Sequence, residues 1–189
     1  MKRIVIFASG SGTNTQHIAG YFSDSDDAQV VMIFSNRKDA YVLQRAHQMN
    51  IPAVAFDKID FYENDVILNQ LYSLHPDLIV LAGFLWKVPE KIVQAFPNQI
   101  INIHPALLPK YGGKGMYGEH VHRAVIENCE KESGITIHYV NENYDEGTFI
   151  LQAMCRIDDD ETSETLAEKV HALEHKYYPK TIEFVLMRK

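Results

Sequence analysis

The rhythm of apolar runs constrains this chain most. Arg3 to Ala8 is a continuous β-branched run, and Leu78 to Ala82 is entirely apolar. Neither shows the polar alternation of a half-exposed strand, so both read as parallel strands covered on both faces. Strand and helix patterns alternate around them. A helical stretch runs through Ile18 to Phe22, and Val30 to Phe34 is a second strand. Asp39 reads as the cap of a helix reaching about Met49. Ala53 to Phe56 is a short strand and Phe61 to Leu74 a helix. Pro89 opens another helix at its favoured first-turn position.

Beyond a strand ending at His104 and a glycine-bearing loop from Pro109 to Gly118, a helix spans Glu119 to Asn128. The runs Ile135 to Val140 and Phe149 to Arg156, joined by Asn141 to Gly147, have the spacing of a hairpin. A last helix runs from Ser163, its expected cap, to Met187, with Pro179 expected to kink it. The expected fold class is α/β: a Rossmann-like, mostly parallel sheet with helices on both faces, then a C-terminal antiparallel hairpin and a long helix. At 189 residues the chain reads as one domain, 1–189.

Composition narrows the function classes. A net charge of −7 argues against a nucleic-acid surface, while leaving room for a local pocket for one phosphate. No stretch approaches transmembrane length, and the apolar run after Met1 is too short for a signal peptide. The two cysteines, Cys129 and Cys155, are far apart with no CxxC pattern and read as small hydrophobes in a reducing compartment. A cytoplasmic enzyme with small-molecule substrates, no nucleic acid and no membrane partner is expected, as a monomer or homodimer.

Two motifs carry chemistry. The turn after the first strand, Ser9-Gly10-Ser11-Gly12-Thr13-Asn14, lets backbone approach a ligand, and the following helix offers unpaired N–H groups. It is not a Walker A loop, and Thr15 stands where a dinucleotide fingerprint needs its third glycine. A phosphorylated substrate fits it better than a dinucleotide, although a plain tight turn has the same residues. The second motif is Asn102-Ile103-His104-Pro105. Residues two apart on a strand point the same way, so the amide and the imidazole project together from the strand's C-terminal edge. On residues alone, a catalytic pair and a loop tie beside a satisfied histidine are equally open. His120 and His122 have no third ligand nearby, so no metal is expected.

The ordered set Ser9–Asn14, Phe34-Ser35-Asn36, Leu81-Ala82-Gly83-Phe84, Asn102–Pro105, Leu107–Tyr111 and Gly147–Gln152 resembles the folate-dependent phosphoribosylglycinamide formyltransferases of purine biosynthesis. The Asn-His…Asp core is shared with other 10-formyltetrahydrofolate-dependent transferases, and one acting on a sugar-nucleotide amine is the alternative. The resemblance implies a formyltransferase fold whose N-terminal half binds phosphate and whose C-terminal half binds folate. It implies 10-formyltetrahydrofolate as co-substrate and Asn102, His104 and Asp145 as catalytic residues. Attack of an amine on a formyl carbon develops an oxyanion that an Asn102 N–H can stabilise. His104 can donate to it and deliver a proton to the leaving nitrogen, with Asp145 expected to raise its pKa. The substrate phosphate is implied on Gly12, Thr13 and Asn14, with Glu174 near the amine or ribose. The folate ring is implied against Leu85, Trp86, Lys87 and Val88, with Asn102 and the loop Asn141, Glu142, Asn143, Tyr144 and Asp145 completing its pocket. The family's arginine near Asp60 is missing, and Lys58 or Lys87 could substitute. The glycine-rich Lys110–Gly118 loop departs from the compact loop of the family, and a mobile lid whose lysines neutralise phosphate and a surface insertion with no role are equally open.

Overall fold

A computed structural model describes residues 1–188. One seven-stranded sheet organises it. Its strands are β1 (Lys2–Ala8), β2 (Ala28–Ser35), β3 (Ala53–Ala55), β4 (Leu78–Leu81), β5 (Ile100–His104), β6 (Glu132–Tyr139) and β7 (Phe149–Arg156). Their spatial order is β3-β2-β1-β4-β5-β6-β7. The first five are mutually parallel, and β6 and β7 add antiparallel to the β5 edge. The expected architecture is therefore the observed one.

The alternation of side chains splits the apolar residues of each strand between two cores. Ile4 and Ile6 of β1 join Val80 and Ile101 under α1 (Thr13–Tyr21), α2 (Tyr41–Gln48), α5 (Glu119–Glu127) and α6 (Ser163–Met187). Val5 and Phe7 point to the other face, under α3 (Val66–Leu74) and α4 (Glu90–Ala95). There Phe7, Phe34, Phe56, Phe61, Phe84 and Trp86 make an aromatic cluster, with Phe7 and Phe34 stacked at 5.0 Å and Phe56 and Trp86 edge-on at 5.9 Å. Buried Tyr178 of α6 donates its hydroxyl to the Leu81 and Ile101 carbonyls, 2.9 and 3.3 Å away, tying α6 to the ends of β4 and β5.

Several element ends differ from the sequence reading. Ala40, not Asp39, caps α2, because the Asp39 carboxylate is taken by the Arg37 guanidinium. The Phe61–Leu74 helix is two pieces, a π-helical turn at Ile59–Glu63 and α3. Extended Asn64 breaks them apart, and Lys91 Nζ bonds its carbonyl at 2.7 Å. Pro89 is the cap of α4 rather than its first residue. Thr162 caps α6 through a capping box with Thr165, one residue before Ser163, and α6 continues through Pro179. Strand β6 starts at Glu132 because Gly134 lets β7 approach: a Cβ there would lie 2.0 Å from the Ala153 carbonyl oxygen. Glycine weakens a strand pattern, which hid those residues from the sequence reading.

Candidate active site

The strand order reverses at β1 and β4, and ligands of open α/β sheets bind in the crevice beyond such a switch point. A cleft of about 630 Å³ lies there. Its walls include the glycine turn after β1, the 82–88 segment after β4, the end of β5 and the loop between β6 and β7. Ser9 Oγ accepts from the Leu85 N–H at 2.9 Å, fixing the first two walls to each other.

In the glycine turn, Gly12 caps α1 with φ +76, in the left-handed region. A Cβ there would lie 2.5 Å from Val42 Cγ2 and 2.9 Å from Val42 Cα. Gly12 is thus required by its conformation and by the close approach of α2. Thr13 and Asn14 line the cleft with it. The first N–H groups of α1 have no intrahelical acceptor, so this end of the cleft suits an anion. Asn14 Nδ2 donates to Glu174 Oε2 at 2.8 Å, which joins the turn to α6. Glu174 is buried, and burial raises its pKa against the opposing effects of Asn14 and His171.

At the end of β5, Ile101 and Ile103 face the α1/α6 core, so Asn102 and His104 project from the opposite face into the cleft. Asp145 reaches the same point from the β6–β7 loop: its Oδ2 lies 3.6 Å from His104 Nδ1, and its Oδ1 is 3.5 Å from Asn102 Nδ2. The structure also brings in His138, which the sequence reading missed. It pairs directly with Asn102 across β5 and β6, with its Nε2 3.2 Å from Asn102 Nδ2 and 3.6 Å from Asp145 Oδ1. Its signal was the alternation Ile135-Thr136-Ile137-His138, polar on every second residue of an otherwise buried strand. Thr136 shares that face and fixes the turn after β5, donating to the Ala106 carbonyl at 2.7 Å and accepting from the Leu108 N–H at 3.0 Å.

The hydrogen bonds fix the protons of this cluster. The Tyr111 carbonyl, 2.7 Å from His104 Nε2, can only accept, so a neutral His104 carries its proton on Nε2 and turns the Nδ1 lone pair to Asp145. The Tyr139 carbonyl, 2.9 Å from His138 Nδ1, likewise holds that proton, leaving His138 Nε2 to accept from Asn102. Burial lowers the His104 pKa, and this outweighs the raising effects of Asp145 and the Tyr111 carbonyl. Asp145 thus acts on the ring in the expected direction, but its effect is outweighed because His104 is only 4% exposed. For Asp145, burial raises the pKa, but His138, His104 and the Gly113 N–H together lower it by more. Tyr111 and Asp145 both adopt left-handed backbone, φ 57 and 55. That costs an L-residue roughly 1–2 kcal/mol. The bonds to His104 and Gly113 hold them there.

At the other end of the cleft, Leu85, Trp86, Lys87 and Val88 form a wall opposite Asn141, Asn143 and Tyr144. Leu85 is exposed, Val88 is buried, and the Lys87 ammonium sits 5.7 Å over the Tyr144 ring. Lys58 stands 5.8 Å over Trp86, near the position of the missing arginine. Glu142 is exposed and lies outside the cleft lining, so the structure does not bring it to the other loop residues.

The Lys110–Gly118 loop is anchored in its first half. Lys110 Nζ and Tyr111 Oη both bond Glu130 Oε1, at 2.8 and 2.9 Å, and the Gly113 N–H donates to Asp145 at 2.9 Å. Lys110 thus faces Glu130 and not the cleft, whereas Lys114 lines it. His120 is exposed against Tyr117 while His122 is buried, so the two do not converge. Among the described residues no group of three or more His, Cys, Asp or Glu side chains is placed to hold a metal ion.

This architecture has known counterparts. A model of the formyl transferase family matches residues 2–182. The chain belongs to that family. It is 36% identical to the phosphoribosylglycinamide formyltransferase of Bacillus subtilis over 192 residues, covering 98% of this chain and 95% of that one. The chloroplastic phosphoribosylglycinamide formyltransferase of Arabidopsis thaliana is 40% identical over 187 residues, and the match spans 96% of this chain but only 64% of the plant protein. Among solved structures, glycinamide ribonucleotide transformylase 1 from Geobacillus kaustophilus superposes with a TM-score of 0.89 at 35% identity, covering 98% of this chain and 99% of that one.

Proposed function

We infer that this chain transfers the formyl group of 10-formyltetrahydrofolate to the primary amine of 5-phosphoribosylglycinamide, a step of purine synthesis. The observation that carries this reading is the convergence of Asn102 and His104 on Asp145, whose carboxylate oxygens lie 3.5 and 3.6 Å from them in one cleft. The acceptor phosphate lies on the Thr13 and Asn14 backbone, which places its amine near His104. Leu85, Trp86 and Val88 cover the folate ring. That slot is apolar with a few polar backbone groups, as a ring-binding pocket needs to be. When bound, the folate supplies an electrophilic formyl carbon.

His104, neutral before reaction, accepts the proton of the attacking amine at Nδ1, and the imidazolium so formed faces the Asp145 carboxylate. Asn102 gives up its 3.5 Å contact with Asp145 and offers that N–H to the developing oxyanion. His104 then returns the proton to the departing nitrogen. Lys87 and Lys58 meet the carboxylates of the folate tail. The chain works as one unit in the cytoplasm; no described helix is long and apolar enough to cross a membrane.

Relatives named for this acceptor do not favour a sugar-nucleotide amine. Incubation with 10-formyltetrahydrofolate and each acceptor, followed by folate absorbance, decides between them. Release of tetrahydrofolate is expected with phosphoribosylglycinamide alone. Release with the sugar-nucleotide amine and none with phosphoribosylglycinamide would contradict this function.

A further inference from the structure

Whether the turn after β1 attracts or repels an anion depends on which way its peptide groups face. In a planar trans peptide the carbonyl and the N–H point in opposite directions, so holding one aims the other. Here every carbonyl from Gly10 to Gly12 is held. The Gly10 carbonyl accepts from the Val42 N–H at 3.1 Å, the Ser11 carbonyl from Arg45 Nε at 2.8 Å, and the Gly12 carbonyl from the Gln16 N–H at 2.9 Å. Val42 and Arg45 belong to α2 and stand outside the cleft lining, whereas Ser11, Gly12, Thr13 and Asn14 line it. The Gly10 and Ser11 carbonyls are therefore drawn toward α2 and away from the cleft. Among the described residues, the N–H groups of Ser11, Gly12, Thr13 and Asn14 have no acceptor.

Arg45 is the side chain that sets the Ser11–Gly12 peptide. Its guanidinium also bonds Gln16 Oε1 of α1 and lies 5.0 Å over the Tyr41 ring, so contacts with both helices and the turn fix its place. The peptide it holds is the one freest to rotate. Gly12 sits at φ +76, and glycine populates left- and right-handed backbone about equally. Rotated, that peptide would present the Ser11 carbonyl to the cleft and repel a phosphate.

We propose that Arg45 is a positioning residue for the acceptor: from outside the cleft it holds the Ser11 carbonyl outward and so aims the Gly12 N–H at the phosphate. This rests on the function proposed above. Arg45 touches neither ligand. Its effect is one further N–H bond to a phosphate oxygen, of the charge-assisted kind that exceeds a neutral hydrogen bond in strength. The bond is made only to the phosphate, so the glycinamide and ribose ends of the acceptor do not sense the residue.

The test is calorimetric titration of wild type and Arg45→Met with phosphoribosylglycinamide and with its riboside lacking the phosphate, alongside the Gly12 amide signal in heteronuclear NMR. Affinity for the phosphorylated ligand is expected to fall about tenfold or more in Arg45→Met, the loss of one charge-assisted bond, with the riboside unaffected. In wild type the Gly12 amide proton is expected to move downfield as the phosphorylated ligand saturates the site. In saturated Arg45→Met it is expected to stay near its ligand-free position. A charge acting at a distance would weaken binding yet leave that movement intact, and a merely structural role would weaken both ligands alike. Unchanged affinity, equal losses for the two ligands, or the same Gly12 movement in both proteins would overturn the proposal and leave the proposed reaction standing. A wild-type Gly12 amide that does not move on binding would overturn it without any variant. Wild type that binds neither ligand would overturn the reaction and this inference together.

Discussion

Replacing His104 with alanine is expected to lower kcat by about 10²–10⁴ while changing KM little. The ring lines the cleft from the end of β5, and in the proposed reaction it moves a proton and holds neither ligand, so its loss removes proton transfer rather than binding. Asp145→Asn is expected to cost kcat about 10² or more, because the imidazolium formed during transfer then faces a neutral amide. The two variants differ in pH dependence. Neutral His104 is the active form, so kcat rises with pH through the His104 pKa, which burial sets below the ordinary value of about 6.5. Asp145 is the main group raising that pKa. Without it, burial is opposed only by the Tyr111 carbonyl, and the acid limb of kcat moves to still lower pH. Steady-state kinetics of wild type and both variants across the acid range check this. An acid limb that stays in place in Asp145→Asn would show that the carboxylate does not act on the ring.

The second large effect is expected at Gly147. A Cβ there would lie 1.6 Å from the Tyr139 carbonyl oxygen and 2.7 Å from its carbon, both backbone atoms that cannot swing aside. That carbonyl holds the His138 Nδ1 proton, and the Tyr139 N–H donates to Thr148 at 2.9 Å across the hairpin. Gly147→Ala must part the strands two residues from Asp145 and is expected to cost about 2–4 kcal/mol in stability, together with activity. Gly10→Ala is the matched control. Gly10 is exposed in the same cleft and nothing lies within 4 Å of its added Cβ. Its stability is expected to change by less than about 0.5 kcal/mol. Urea unfolding of the two variants measures the contrast, and equal midpoints would contradict it.

The pattern of legibility follows from what each signal depends on. Strands β1 and β4 were readable because burial on both faces writes an unbroken apolar run into the chain. Asn102 and His104 were readable because a strand's period of two is local information. Asp145 was reached only through resemblance, since a carboxylate in a turn looks the same whether it bonds its own backbone or a histidine across the hairpin. His138 was passed over because its importance depends on the β5–β6 register, and a single sequence does not contain that register. Asp39 looked like a helix cap until Arg37, two residues away, claimed it. Gly12 looked like a glycine spared for a ligand, and its Cβ direction belongs instead to Val42. The raising effect of Asp145 on His104 was readable, but the larger lowering effect of burial was not. Neighbouring charge can be guessed from sequence, but depth of burial is a property of the packed molecule.

The most direct measurement of the central claim is a single turnover with an isotopically labelled formyl group, enzyme in excess, for wild type and Asp145→Asn with both ligands shown to be bound by calorimetry. In wild type the label is expected to pass from 10-formyltetrahydrofolate to the amide of phosphoribosylglycinamide within one catalytic event. In Asp145→Asn, with ligands bound, it is expected to remain on the folate over the same interval. Label released as free formate by wild type, or transferred equally fast by the variant, would contradict the assignment of formyl transfer to the Asn102–His104–Asp145 cluster.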